Sequence, residues 1–296
     1  MNSLFNQFVN KKYPKSKMPR FITHQDTNSF TNEGFGSHAR GSIYPLLNIA
    51  ISTGLKPVLN NETFWSNSGR NYKGINFSEF FRIDQNVPNG CSEIIIDTWK
   101  SAFGCTEGLI DEILKVINDG NEADLIILSG PLRYVNPTPK ALQWFNSQFS
   151  QCHIQKDITM AVHLRRGDMD ASENQIDWFI DAMKVVNKHI PQIPMTIVTE
   201  ENFSMEEEAK FKNEFSWIKV SRGGTDSVLE DVKTLASSKI LIGSKSFFSA
   251  LAGYLATEDG IIIVNEDNVY FNCHNEIRNN VYTIHDEKLL DKLSTL

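Results

Sequence analysis

The sequence predicts an α/β protein made of two parallel-sheet halves, and three observations carry that prediction. After Asp157, short apolar runs alternate strictly with segments of helical period, which implies a parallel sheet covered on both faces. Near the start, the order strand, glycine-containing loop, helix, strand is a βαβ opening. One apolar strand, Ile158 to Val162, ends abruptly on His163, Arg165, Arg166 and Asp168. Ligands bind beyond the carboxyl ends of strands in open α/β sheets, so that strand end is the natural place for a site.

The elements follow in order. Phe21-Ile22-Thr23 reads as a first strand, followed by a polar loop from Gln25 to Gly36. From Ser42 to Ser52, Ile43, Leu46, Leu47, Ala50 and Ile51 recur at helical spacing. Pro45 sits in the early turns, where the missing N–H is tolerated, and Gly54 supplies the stop. Pro57-Val58-Leu59 reads as a short strand. Asn60 to Gly90 is irregular and rich in Asn, Gly, Ser and aromatics, a length that suits a functional or flexible loop. A strand over Glu93 to Trp99, a helix over Leu109 to Ile117, a strand over Leu125 to Leu128 and a helix over Pro139 to Phe149 complete the first half. In the second half, strands are expected at 158–164, 195–199, 217–220, 240–242 and 261–264, with helices at 175–189, 204–214, 227–237 and 246–256. The change of pattern falls near 151–157, giving an N-terminal domain over residues 1–155 and a C-terminal domain over residues 156–296.

Composition narrows the function. Hydrophobic residues make up 41% and charged residues 22%, ordinary for a globular chain that buries a core. A formal net charge of -7 argues against nucleic acid or an anionic membrane surface as the main partner. Against that acidic background the cations at 163–166 stand out. The four cysteines, Cys91, Cys105, Cys152 and Cys273, are too sparse for a disulfide framework, and no C-x-x-C pair suggests zinc. Cys273-His274 is read as a pair without a metal role. No apolar run of about 18 residues is present, and residues 1–20 lack the apolar core of a secretory signal, so the expected location is cytoplasmic.

Four constellations can carry chemistry. The first is the strand end. Side chains alternate faces along a strand, so His163 and Arg165 point one way and Arg166 the other. The guanidinium fork fits phosphate oxygens, and Gly167 permits a tight turn. An ion-pair network with Asp168 closing the strand end is the alternative. The second is Gly34-Phe-Gly36-Ser-His38, just before the first long helix, where glycines and a helix start favour close approach of an anion. An ordinary turn would look the same. The third is Glu173, eight residues after Arg165, a carboxylate that could take a proton from a hydroxyl nucleophile. Asp170 is a neighbouring alternative, and a solvated loop charge is the plainer reading. The fourth is Asp231 with the run from Ile240 to Ser249, in which Ser244, Ser246 and Phe248 open a helix where N-cap hydroxyls and free N–H groups gather. Asp231 would accept from a nucleobase edge, or equally lie on the surface. Glu200-Glu201, after the strand ending at Thr199, is a further acid pair at a carboxyl end.

In this order the motifs resemble the inverting fucosyltransferases that use GDP-fucose: the α1,6-, α1,2- and protein O-fucosyltransferases. His163-Leu-Arg165-Arg-Gly-Asp168 matches the family's His-x-Arg-x-Gly/Thr-Asp signature. The stretch from Gly34 to Tyr44 resembles its Gly-aromatic-Gly-Cys-Gln loop and helix, as found in the α1,6 type in particular. Leu128 to Pro139 is similar to its interdomain segment, Val198-Thr-Glu-Glu201 to its Thr-Asp-Asp segment, and Asp231 with Ile242 to Ser249 to its last motif.

The resemblance implies the GT-B fold, with two Rossmann-like domains, no required metal and no cofactor beyond the donor substrate. It implies that Arg165 grips the β-phosphate of GDP and stabilises charge on the leaving group, while Arg166, on the strand's other face, braces the site from behind. His163 and Asp231 hold the guanine end, and Ser246 or Ser244 contacts phosphate beside Phe248. The loop of Gly34, Gly36 and His38 closes over the diphosphate, and Glu173 deprotonates the hydroxyl of a glycan acceptor. The motifs depart from the family in three places: Met169 replaces a lysine, Ser37-His38 replaces Cys/Asn-Gln, and Glu200-Glu201 replaces Asp-Asp. Met169 and Ser37 keep open a non-catalytic sugar-nucleotide or glycan-binding protein of the same fold. A transferase using another sugar nucleotide is a third reading.

Overall fold

The computed structural model describes residues 19–25, 39–59, 90–98, 106–120, 123–130, 132, 137–148, 159–165, 176–199, 203–215, 217–222, 228–256, 259–271 and 279–296. The chain divides into two units, Met1–Gln148 and Phe149–Leu296. Each is an α/β unit whose described strands are all parallel, as the alternating pattern predicts.

The first unit has a four-stranded sheet in the order β2-β1-β4-β3, from β1 (Phe21–Gln25), β2 (Lys56–Pro57), β3 (Glu93–Asp97) and β4 (Leu125–Ser129). Its helices are α1 (Tyr44–Thr53), α2 (Thr106–Asn118) and α3 (Pro139–Gln148). Helix α1 departs from the expected start: residues Ala39–Ile43 form a wider π-type turn, and Pro45 takes the first helical turn beyond it. The helix stops at Gly54, whose φ of 77° is a left-handed conformation that glycine adopts without a Cβ clash. The end of β1 is fastened internally. His24 Nε2–H donates to the Gly130 carbonyl at 2.7 Å, and the Ser42 hydroxyl bonds Nδ1.

The second unit holds β5 (Met160–Leu164), β6 (Met195–Thr199), β7 (Lys219–Arg222), β8 (Ile240–Ile242), β9 (Ile261–Ile263) and β10 (Val281–Tyr282) in the order β10-β9-β8-β5-β6-β7. Counted within the unit, this is the 3-2-1-4-5-6 order of a doubly wound Rossmann sheet, read from the other edge. Strand β7 lies two residues later than expected. Strand β10 and the last helix, α8 (Glu287–Ser294), extend the fold beyond the predicted elements.

Alternation along β5 divides the core into two layers. Met160, Val162 and Leu164 face α4 (Ile176–His189) and α5 (Met205–Glu214), with Phe179, Met183 and Phe211 packed against them. Ala161 faces the opposite layer, where Leu235 of α6 (Val228–Ser237) and Ala250 of α7 (Phe247–Leu255) close over Leu241 and Ile262. His163 lies on Ala161's side of the strand, so its ring comes under α7.

Candidate functional site

The sheet order fixes where a site can lie. After β5 the chain moves outward to β6 and β7, and β8 then returns to β5's other side. Helices α4 and α7, which follow β5 and β8, lie on opposite faces of the sheet, so these two strand ends mark the switch point beyond which open α/β sheets bind ligands. His163 and Arg165 stand at the end of β5. The turn Gly243–Ser246 stands at the end of β8 and opens α7.

Ser246 caps α7 with extended backbone, and its Oγ accepts from the Phe248 N–H at 3.1 Å. The same oxygen accepts from Arg165 Nη1 at 3.2 Å, tying the guanidinium to the start of α7. Cation and helix N-terminus thus present their donors together, an arrangement that suits an anion.

His163 is 4% exposed, and its Nδ1 lies 2.6 Å from the Ser249 hydroxyl and 2.9 Å from the Ser244 hydroxyl. Phe248 covers the ring at a centroid distance of 5.1 Å. Burial, reinforced by the Arg165 charge, pushes the imidazole pKa down to about 3, so His163 is neutral at physiological pH. It acts by hydrogen bonding and adds no positive charge.

The turn is itself held from behind. The Ser244 N–H donates to Ser249 Oγ at 3.2 Å, and Asn268 Nδ2 donates to the Ser244 carbonyl at 3.1 Å. Lys245 pairs with Asp267 on the outer side at 2.5 Å. Gly243 lies against the Phe271 ring, and a Cβ there would come 2.8 Å from Cζ.

Of the residues expected at the site, His163, Arg165, Ser244, Ser246 and Phe248 come together here. The two serines are 2% and 0% exposed, with their hydroxyl oxygens already engaged. Asp231 is 7% exposed in the first turn of α6, which rules out a surface position for it. Gly34, Gly36, His38, Arg166, Asp168 and Glu173 lie outside the described residues, as do Met169, Glu200-Glu201 and Cys273-His274. Ser249 and Asn268 were not assigned a role from sequence. Ser249's position three residues after the N-cap was the available signal for the first, whereas nothing local marks Asn268.

No protein-family model matches the chain, and no curated protein sequence matches it. Among solved structures, it is similar to the fucosyltransferase NodZ from Bradyrhizobium, with 14% identity over 80% of this chain and 93% of that one and a TM-score of 0.43. It is also similar to POFUT1 in complex with GDP, with 13% identity over 80% of this chain and 95% of that one and a TM-score of 0.48. A third is the E. coli heptosyltransferase WaaC with ADP-2-deoxy-2-fluoro heptose, with 10% identity over 89% and 92% and a TM-score of 0.39.

Proposed function

We propose that the chain is a glycosyltransferase of GT-B type that moves fucose from GDP-fucose to a glycan hydroxyl with inversion. The observation that supports it most is the pairing of Arg165 with the capped start of α7 at the switch point of a Rossmann-order sheet. The His163–Asp168 signature and the later Asp231–Ser249 motif supply the choice of donor. In this reading the diphosphate lies against Arg165 and the first N–H groups of α7, and the nucleoside end extends toward His163 and Asp231.

The reaction then runs as a single displacement. The acceptor oxygen bonds to the anomeric carbon as the bond from that carbon to the β-phosphate oxygen breaks. Glu173 takes the acceptor proton. Charge that develops on the departing GDP is met by Arg165 and the helix N–H groups, donors fixed in place before the reaction. No metal is assigned a step.

Arg165→Ala is expected to lower transfer from GDP-fucose by 100-fold or more, on the order seen when one fixed donor to a developing charge is lost. The assay is GDP release over a panel of glycan acceptors. Transfer at the wild-type rate by Arg165→Ala would refute the proposal.

A further inference from the structure

The hydrogen bonds around Nδ1 determine which nitrogen of His163 carries its proton. Suppose Nδ1 accepts. The Ser249 hydroxyl then donates to Nδ1 at 2.6 Å, and the Ser244 hydroxyl donates to Ser249 Oγ at 3.0 Å. Ser249 Oγ also accepts the Ser244 N–H at 3.2 Å, and both hydroxyl hydrogens have acceptors within the cluster. Suppose instead that Nδ1 is protonated and donates to Ser249. The Ser249 hydroxyl turns to Ser244 Oγ, and the Ser244 hydroxyl hydrogen then has no acceptor within this cluster. Burying such a group unsatisfied is unfavourable, and Ser244 and Ser249 are 2% and 0% exposed.

We infer that Ser249, acting with Ser244, is a positioning residue that holds His163 in its Nε2–H form, so that the imidazole presents a neutral N–H donor to an oxygen of the bound sugar nucleotide. Among the described residues Nε2 has no hydrogen-bond partner, which leaves that N–H for the ligand. The same hydroxyl accepts the Ser244 N–H, so one side chain sets both the ring and the turn opening α7. The inference rests on the reading of the site as a GDP-sugar site, but the tautomer itself can be measured without ligand.

The test uses the full chain with histidine-selective 15N labelling, the His163 signals being assigned with His163→Gln. Wild type is expected to show the Nε2–H form alone at pH 7, and Ser244→Ala/Ser249→Ala a mixture of both tautomers. By calorimetry, Ser249→Ala is expected to weaken GDP binding about 3- to 10-fold, the size of one lost hydrogen bond. The double variant should weaken it further. Ser238→Ala serves as the control, since it removes a buried hydroxyl of the same unit that donates to the Thr234 carbonyl at 2.8 Å, and it should bind GDP like wild type. An Nδ1–H form in wild type, an unchanged tautomer in the double variant, or GDP binding there within 2-fold of wild type would overturn the inference. Wild type that shows the Nε2–H form yet fails to bind GDP would refute the GDP-sugar reading and leave the brace standing.

Discussion

His163 and Arg165 occupy neighbouring positions on one side of a strand end and play opposite electrostatic parts. Arg165 carries the positive charge. His163 has been stripped of its own by burial and by that arginine. The consequence for stability has a definite sign. Between about pH 6.5 and pH 3 the unfolded chain protonates this imidazole while the folded chain does not, so stability falls as the pH drops through that window. Replacing His163 with Gln removes the contribution. Between pH 7 and 4.5 wild type is expected to lose about 2 kcal/mol more unfolding free energy than His163→Gln, measured by urea denaturation. Equal losses would show that His163 protonates freely in the folded state. The sequence was enough to place His163 and Arg165 on one face, because alternation along a strand is geometric. Whether His163 keeps its charge depends on α7, a segment some 86 residues away in the chain that brings Ser249 onto the ring.

Among the elements, the β8–α7 turn is tightly held by packing and hydrogen bonds. Phe271 packs so closely over Gly243 that a methyl group has no room. Gly243→Ala is expected to destabilise the fold by about 1–3 kcal/mol through forced displacement of that ring or the turn. The same shift would weaken GDP binding, because the turn carries Ser244 and Ser246. Denaturation and calorimetry on this one variant check both effects, and a variant with wild-type stability would show that the turn yields freely. The hydroxyl-rich opening of α7 was legible, since an N-cap serine before an apolar helix is a local signal. The Phe271 packing was not, because it joins segments that share no pattern. Strand β10 and helix α8 were missed for a related reason. Two residues cannot display a period, and α8 offers only Leu289 and Leu293 as buried apolar positions.

At the scale of the molecule, strand order turns a generic cationic strand end into a defined site. Alternation of strands and helices announced two parallel sheets, but it says nothing of their order, which follows from how the helices divide between faces. In the second unit α4 and α5 cover one face and α6 and α7 the other, so the switch falls between β5 and β8. The Rossmann order thus brings Ser246 to Arg165 across 81 residues of sequence. A net charge of -7 disfavours a polyanion as the partner of the cation at this strand end.

We propose that the ends of β5 and β8 form a GDP-sugar site that needs no metal. A thermal-shift screen of GDP, ADP, UDP and GDP-fucose against the full chain, each with and without EDTA, tests it most directly. The melting temperature is expected to rise with GDP and GDP-fucose, less or not at all with ADP and UDP, and to be unchanged by EDTA. No shift with GDP, or a shift that EDTA abolishes, would contradict it.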